Sequence, residues 1–189
     1  MDHPEIVAGR SCGTCTLCCK VLRITELQKP KGVWCPHCKP GTGCGIYDTK
    51  PTECSQFYCL FLLDNRLGDE WKPSRSKIVL VTEFEQNRVA AHVDPAFPGK
   101  WREEPYYSTL KRWAVDAAPH QGQVVVTINM RSIVILPTED VDLGIVGEDE
   151  LIVTGETRTP SGIRLRAFKI HRDDPLAAKV IGHVPKVGE

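Results

Sequence analysis

The chain has 189 residues, and its 24 basic and 24 acidic side chains leave no net charge at neutral pH. This balance argues against a nucleic-acid binder that relies on net positive charge. Hydrophobic residues make up 41% of the chain, which suffices for a packed core and excludes wholesale disorder. The sequence has no apolar run of about 18 residues and no basic, apolar start of a secretory signal. We therefore expect a cytoplasmic protein without a membrane or nucleic-acid partner.

The cysteines are confined to one end of the chain. All nine lie within the first 59 residues. Dense cysteines in a reducing compartment indicate metal binding or redox chemistry rather than disulfides, and an odd number fits poorly with a fully paired framework. We therefore predict two regions: a cysteine-cluster metal-binding module at 1–63, and an α+β region of unknown role at 64–189. The boundary is placed where an apolar segment, 60–63, gives way to a polar stretch.

Two pairs of cysteines have the spacing of a zinc site. A gap of two residues lets successive thiolates turn toward one metal ion. The two pairs together match the four-thiolate spacing of a zinc ribbon: Cys12, Cys15, Cys35 and Cys38. His37 lies within the second pair and could replace a thiolate, but the nearby cysteines are better placed as ligands. Five thiols lie outside this spacing; four of them would fill a second tetrahedral site, or the whole set would hold an iron–sulfur cluster.

An iron–sulfur cluster is the alternative to zinc. Cys12, Cys15 and Cys18 reproduce the first three ligands of a ferredoxin-like run. The run then departs from that pattern, because Cys19 follows directly and is succeeded by Lys20 rather than by proline. Adjacent thiolates rarely serve the same mononuclear ion, so we expect Cys18 and Cys19 to face different neighbours.

The order of the cysteines resembles that of the YkgJ-like cysteine-cluster family, which is described as a zinc- or iron-chelating domain. The matching features, within residues 10–63, are Cys12-x2-Cys15-x2-Cys18-Cys19, then Cys35, then Cys44-Gly45-Ile46-Tyr47, then Lys50-Pro51-x2-Cys54-x2-Phe57-x-Cys59. The resemblance implies eight metal ligands: Cys12, Cys15, Cys18, Cys19, Cys35, Cys44, Cys54 and Cys59. Lys50 stands where the family usually has arginine, and Cys38 is additional to the eight.

The resemblance implies chelation of zinc or iron, but it implies no general reaction. Zinc is slightly preferred, because closed sites made only of thiolates are usually structural. The related flagellin lysine methylases carry a similar cluster and are linked to an iron–sulfur centre and S-adenosylmethionine. An iron–sulfur protein that acts as a redox or methyl-transfer enzyme, or as its accessory, is therefore the alternative. A thiol-redox protein is a third interpretation. The sequence has no Gly-rich nucleotide loop, so catalytic residues and substrate stay open, and the predicted partners are a metal ion and an unknown protein.

The module has little apolar material of its own, so we expect bound metal to supply much of its folding energy. Tyr47, Pro51 and Phe57 are predicted to pack beneath the metal-binding loops. The lysines of the module are interpreted as a solvated face: Lys20, Lys29, Lys31 and Lys39.

The second region is predicted to consist of three hairpins in a meander-like sheet, with a helix between the first two. β-branched residues and turn signals place the strand pairs at 77–84 with 88–93, 124–128 with 132–136, and 151–154 with 163–168. Leu110, Trp113, Ala114 and Ala117 recur at helical spacing, which predicts a packed helix over 106–117. A further helix is predicted near 174–182. The predicted fold class is thus α+β, with a mainly antiparallel β region after the module of loops and short helices.

Overall fold

The structure is a computed structural model that describes residues 4–160 and 162–177. The fold class is α+β, as the sequence predicts. The cysteine-rich segment consists of loops, short helices and one small hairpin, and the longer strands follow it. The helix predicted near 174–182 lies largely outside the described residues.

The chain divides into two compact units. The first comprises the described residues up to Val81 together with Ala91–Tyr107, and the second comprises Thr82–Ala90 and the described residues from Ser108 onward. The cysteine segment therefore lies within a larger first unit. The division at residue 63 rests on cysteine content and stays a prediction.

The α-helices of residues 4–160 are short except for one. They include α1 (Cys18–Val21), α2 (Thr52–Ser55), α3 (Leu60–Leu63), α4 (Pro73–Ser76) and α5 (Tyr106–Ala117). Helix α5 confirms the helix predicted from the sequence, and its periodic residues Leu110 and Ala114 are buried. In the described part of the chain, no helix is long and apolar enough to cross a membrane.

The strands form two small sheets and one larger sheet. Their bounds are β1 (Cys38–Lys39), β2 (Gly43–Cys44), β3 (Ile78–Glu83), β4 (Arg88–Val93), β5 (Gln123–Ile128), β6 (Arg131–Ile135), β7 (Asp140–Ile145), β8 (Glu150–Thr159) and β9 (Gly162–His171). Strands β3 to β7 are hydrogen-bonded neighbours in chain order. Among the strands of the described residues, β1 pairs with β2 and β8 pairs with β9, each pair as a sheet of two strands.

The three predicted hairpins are present, but the third does not join the meander. Strands β8 and β9 form their own antiparallel sheet, which corrects the expectation of one continuous meander. Ile152 of β8 packs with Val125 and Val134, so this hairpin lies on a face of the sheet rather than at its edge. Strand β7, which pairs antiparallel with β6, was not predicted from the sequence.

The first unit has its own apolar interior. Trp71 and Tyr106 meet edge to face with their ring centroids 5.0 Å apart, and the Tyr106 hydroxyl donates to the carbonyl of Glu70. Val79 of β3 reaches the wall of the cavity that the cysteines line. Strand β3 therefore provides regular structure behind the cysteine loops.

Candidate metal centre

One cavity of the first unit collects the cysteines. It has a volume of about 870 Å³, and all nine cysteines line it. All nine are free thiols. The structure therefore brings the eight predicted ligands together with Cys38, and we refer to this space as the cysteine cavity.

The two ends of the cysteine segment are joined by Arg10. Its guanidinium donates to the carbonyls of Phe61, at 2.5 Å, and Asp64, at 2.8 Å, and also to that of Leu67. The same group lies 4.5 Å from the centre of the Phe61 ring, which adds a cation–π contact. Because Cys12 lies two residues after Arg10 and Cys59 two residues before Phe61, this clamp holds the two thiols in one region.

Cys12, Cys15 and Cys59 form a first group of thiols. A turn in which the Cys15 amide donates to the Cys12 carbonyl at 2.8 Å places the first two side by side. Burial raises the pKa of Cys59 to about 11, and the charges of Cys12 and Cys15 contribute to this rise. Burial and Cys15 also raise the pKa of Cys12, while Lys50 lowers it. The three thiols are thus close enough to repel one another once ionised.

Cys19, Cys35 and Cys38 begin a second group. The Cys35 amide donates to the Cys19 carbonyl at 3.0 Å, and the Cys38 amide donates to the Cys35 carbonyl at 3.0 Å. The Cys19 side chain also hydrogen-bonds to those of Cys18 and Cys38. Cys19 therefore contacts its neighbour in sequence as well as a residue from another loop. We expected Cys18 and Cys19 to face different neighbours, and the hydrogen bond between their side chains was not foreseen.

A small hairpin adds Cys44 to this group. Strands β1 and β2 are antiparallel, and their register sets Cys38 directly opposite Cys44. The chain reverses at Pro40 and Gly41, with the Thr42 amide donating to the Lys39 carbonyl at 2.9 Å. Gly41 has a φ of +71°, as the third position of a type II turn requires.

The ionisation behaviour of the second group reflects its crowding. A hydrogen bond to Cys18 and burial raise the pKa of Cys19 strongly. Burial and the charge of Cys19 raise the pKa of Cys38 to about 11. Cys19 and Cys38 are therefore protonated at neutral pH in the absence of a cation, because each of the two thiolates would face the other in a partly buried space.

Helix α2 brings Cys54 to the same thiols. The Glu53 carboxylate accepts a hydrogen bond from the Thr25 amide at 2.7 Å, and the Glu26 carboxylate accepts one from the Glu53 amide at 3.1 Å, so the turn at Thr25–Leu27 holds the helix. Burial raises the pKa of Cys54, and the charge of Cys19 adds to this rise. Cys19 thus interacts with thiols from three other parts of the segment.

Lys29 is a buried cation within this region. It is only 4% exposed, and its ammonium donates to the carbonyls of Lys20, at 3.0 Å, and Leu22. Burial lowers its pKa, while the charge of Cys19 raises it. The prediction of a solvated lysine face is therefore wrong for Lys29, because two carbonyls at the end of α1 need donors. It is also wrong for Lys20, whose side chain is 14% exposed and pairs with Asp94.

The burial of Tyr47, Pro51 and Phe57 tests the expectation that these three side chains pack beneath the cysteine loops. Pro51 is buried and Phe57 is half-buried, and both line the cysteine cavity. Tyr47 is 67% exposed, so the prediction that it packs beneath the loops is wrong. The Lys50 ammonium instead lies over the Tyr47 ring, 4.1 Å from the ring centre, and both residues line the cysteine cavity.

His37 is exposed and serves through its backbone. Its carbonyl accepts the Gly45 amide at 2.7 Å, which continues the pairing beyond β2. The residues that line the cysteine cavity, all of them in the described part of the chain, do not include His37. The structure therefore places Cys38 rather than His37 among the thiols.

The donor chemistry of the thiols fits a soft cation. Thiolates are the ligands that zinc and iron–sulfur clusters take. Within residues 4–160 and 162–177, no three His, Cys, Asp or Glu side chains are already arranged to hold a metal ion. A rotation about χ1 moves each sulfur. If a metal ion binds here, cysteine thiols would be its ligands, and the ion would stabilise thiolates that otherwise repel one another.

The contacts group the cysteines differently from the zinc-ribbon spacing. Cys12 and Cys15 interact with Cys59, whereas Cys35 and Cys38 are joined to Cys19. The sequence also contains a signal for the hairpin, because Lys39-Pro40-Gly41-Thr42 is a type II turn sequence. A turn at this point indicates a chain reversal that brings Cys38 near Cys44.

Comparisons of this chain with family models, with curated proteins and with solved structures give no match. The likeness to the YkgJ-like family therefore stays a prediction from the cysteine motif.

Proposed function

We propose that this chain is a metal-binding protein that chelates zinc or iron through cysteine thiolates, with zinc preferred. The observation that carries the proposal is the lining of one cavity by all nine cysteines, each of them a free thiol. The order of the cysteines, which resembles that of the YkgJ-like family, supports the same proposal. Closed sites made only of thiolates are most often structural zinc sites.

Metal analysis with a visible absorption spectrum tests the proposal. The protein is purified without oxygen and without added metal. We expect one or two zinc ions per chain and no colour, as tetrahedral thiolate sites for nine cysteines allow. Protein that holds no metal, and takes up none when zinc is supplied under reducing conditions, contradicts the proposal.

A substitution of Cys19 tests which thiols hold the metal. Cys19 interacts with Cys12, Cys38 and Cys54, so Cys19→Ser is expected to reduce the zinc content. Ser11 also lines the cavity, and Ser11→Ala is the matched control because it removes a hydroxyl and leaves every thiol in place. Equal zinc content in both variants would mean that Cys19 holds no metal.

An iron–sulfur protein, acting as a redox or methyl-transfer enzyme or its accessory, is the second candidate. It is favoured by the size of the cavity, since about 870 Å³ is far more than one ion needs and is typical of small-molecule sites. Iron with matching sulfide and a brown colour in the same preparation would support this candidate over zinc.

Nine free thiols also bear on location, because thiols persist in reducing compartments. We therefore propose that the protein is located in the cytoplasm. We also propose that an unknown protein partner binds the region at 64–189. The location and the protein partner do not affect the expected result of the metal analysis.

A further inference from the structure

Cys38 lies outside the eight cysteines that the motif assigns, yet the fold places it among them. It is directly opposite Cys44 in the β1–β2 ladder. Residues directly opposite in an antiparallel pair have side chains on the same face, with Cβ atoms about 4.5–5.5 Å apart. Both thiols line the cysteine cavity. The hairpin therefore presents them as a pair.

Two further cysteines are tied to this pair by hydrogen bonds. The Cys38 amide donates to the Cys35 carbonyl at 3.0 Å, which closes a tight turn between the two thiols. The Cys38 side chain contacts that of Cys19, and the Cys35 amide donates to the Cys19 carbonyl. Cys54, by contrast, reaches these thiols from α2 and interacts with them through charge.

We infer that Cys38 is a metal ligand and completes a four-thiolate site made by Cys19, Cys35, Cys38 and Cys44. Four thiolates are the full set for tetrahedral zinc. The turn from Cys35 to Cys38 and the opposite strand with Cys44 supply three of them on one small scaffold, and α1 supplies Cys19. Cys12, Cys15 and Cys59 then form the other group of thiols, at the Arg10 clamp, and the charge of Cys19 reaches this group at Cys12.

Because this inference rests on the proposed function, the test includes the unaltered protein. Reduced, metal-free protein is treated with N-ethylmaleimide with and without one equivalent of zinc, and each cysteine is read by mass spectrometry. We expect zinc to slow modification of Cys38 to the same extent as that of Cys44. The comparison is made within one folded protein, so it does not depend on a variant that folds.

Cys38→Ser is expected to lower zinc affinity at least about tenfold, since even residues that only support a ligand change affinity by about 10–100-fold. Its cobalt complex is expected to lose sulfur-to-metal charge-transfer intensity. His37→Ala is the matched control, because it alters an exposed side chain in the same turn and keeps the carbonyl that accepts from Gly45.

Two results would overturn the inference, and they are distinguishable. If the unaltered protein binds neither zinc nor cobalt, the proposed function fails and the assignment of Cys38 fails with it. If the unaltered protein binds zinc but Cys38 is modified equally with and without it, and Cys38→Ser binds like His37→Ala, only the assignment of Cys38 fails.

Discussion

The ammonium of Lys20 lies 2.6 Å from a carboxylate oxygen of Asp94. Lys20 directly follows Cys19, and Asp94 directly follows strand β4. The side chains are only 14% and 8% exposed, and the ammonium also lies 5.4 Å from the centre of the Trp34 ring. This ion pair fixes the end of the cysteine run to regular structure within the first unit.

We expect Lys20→Met to lower the free energy of unfolding by about 3 kcal/mol, because it leaves a buried carboxylate without its partner. Urea unfolding of the reduced, metal-free protein measures the change. Lys100→Met is the control, since Lys100 pairs with Glu103 at a more exposed position and such pairs contribute about 1 kcal/mol or less. A loss no larger than that of the control would contradict a stabilising role for the pair with Asp94.

Arg10→Lys is expected to lower the free energy of unfolding by about 2 kcal/mol. An ammonium cannot reproduce the planar fork that donates to the carbonyls of Phe61, Asp64 and Leu67. Arg131→Lys provides the comparison, because Arg131 pairs with Asp142 at the surface. Denaturant unfolding measures both variants. Equal losses in the free energy of unfolding would show that the hydrogen bonds of Arg10 do not stabilise the fold.

Gly41→Ala is expected to destabilise the β1–β2 hairpin by about 1 kcal/mol, because a φ of +71° disfavours any residue with a Cβ atom. Gly99→Ala is the matched control, since Gly99 has a φ of −89° and open space around it. Thermal unfolding of both variants gives the comparison. A Gly41→Ala protein as stable as the control would argue against the type II turn.

Metal affinity is expected to fall as the pH falls. The pKa values of Cys38 and Cys59 are raised to about 11, so these thiols carry protons at neutral pH that a metal must displace. A four-thiolate site would release about four protons per zinc ion. Calorimetry in buffers of different ionisation enthalpy counts them, and a count near zero would be incompatible with binding by these thiols.

The metal-free protein is expected to lose stability at alkaline pH. The folded-state pKa of Cys59 is raised above its ordinary value, chiefly by burial, so the folded state holds this proton more tightly than the unfolded state. The resulting stability is present below about pH 8.5 and is lost as the pH rises toward the folded-state value. Melting temperatures measured with chelator across this range test the sign, and Cys59→Val should flatten the dependence.

Much of the second region could be predicted because its strands are rich in β-branched residues. Strand β7 was missed because Asp140, Asp142 and Gly144 interrupt its apolar positions. The separate β8–β9 sheet could not be foreseen, since strand sequence does not say on which face a hairpin packs. Ile152 packs there with a buried cluster that includes Val134.

In the cysteine segment, the sequence identified the thiols but not their grouping. Spacing alone joined Cys12 and Cys15 to Cys35 and Cys38, whereas the structure joins the first pair to Cys59 through the Arg10 clamp. That clamp depends on backbone carbonyls, which carry no sequence signal.

The nine thiols also differ in how far solvent reaches them. Cys12 is exposed, whereas Cys35 and Cys59 are buried and the remaining cysteines are intermediate. A carrier that hands over a metal by ligand exchange would therefore meet Cys12 first and transfer the ion inward one sulfur at a time. The same exposure makes Cys12 the thiol that an oxidant in solution reaches most directly, although burial and Cys15 raise its pKa and keep it protonated.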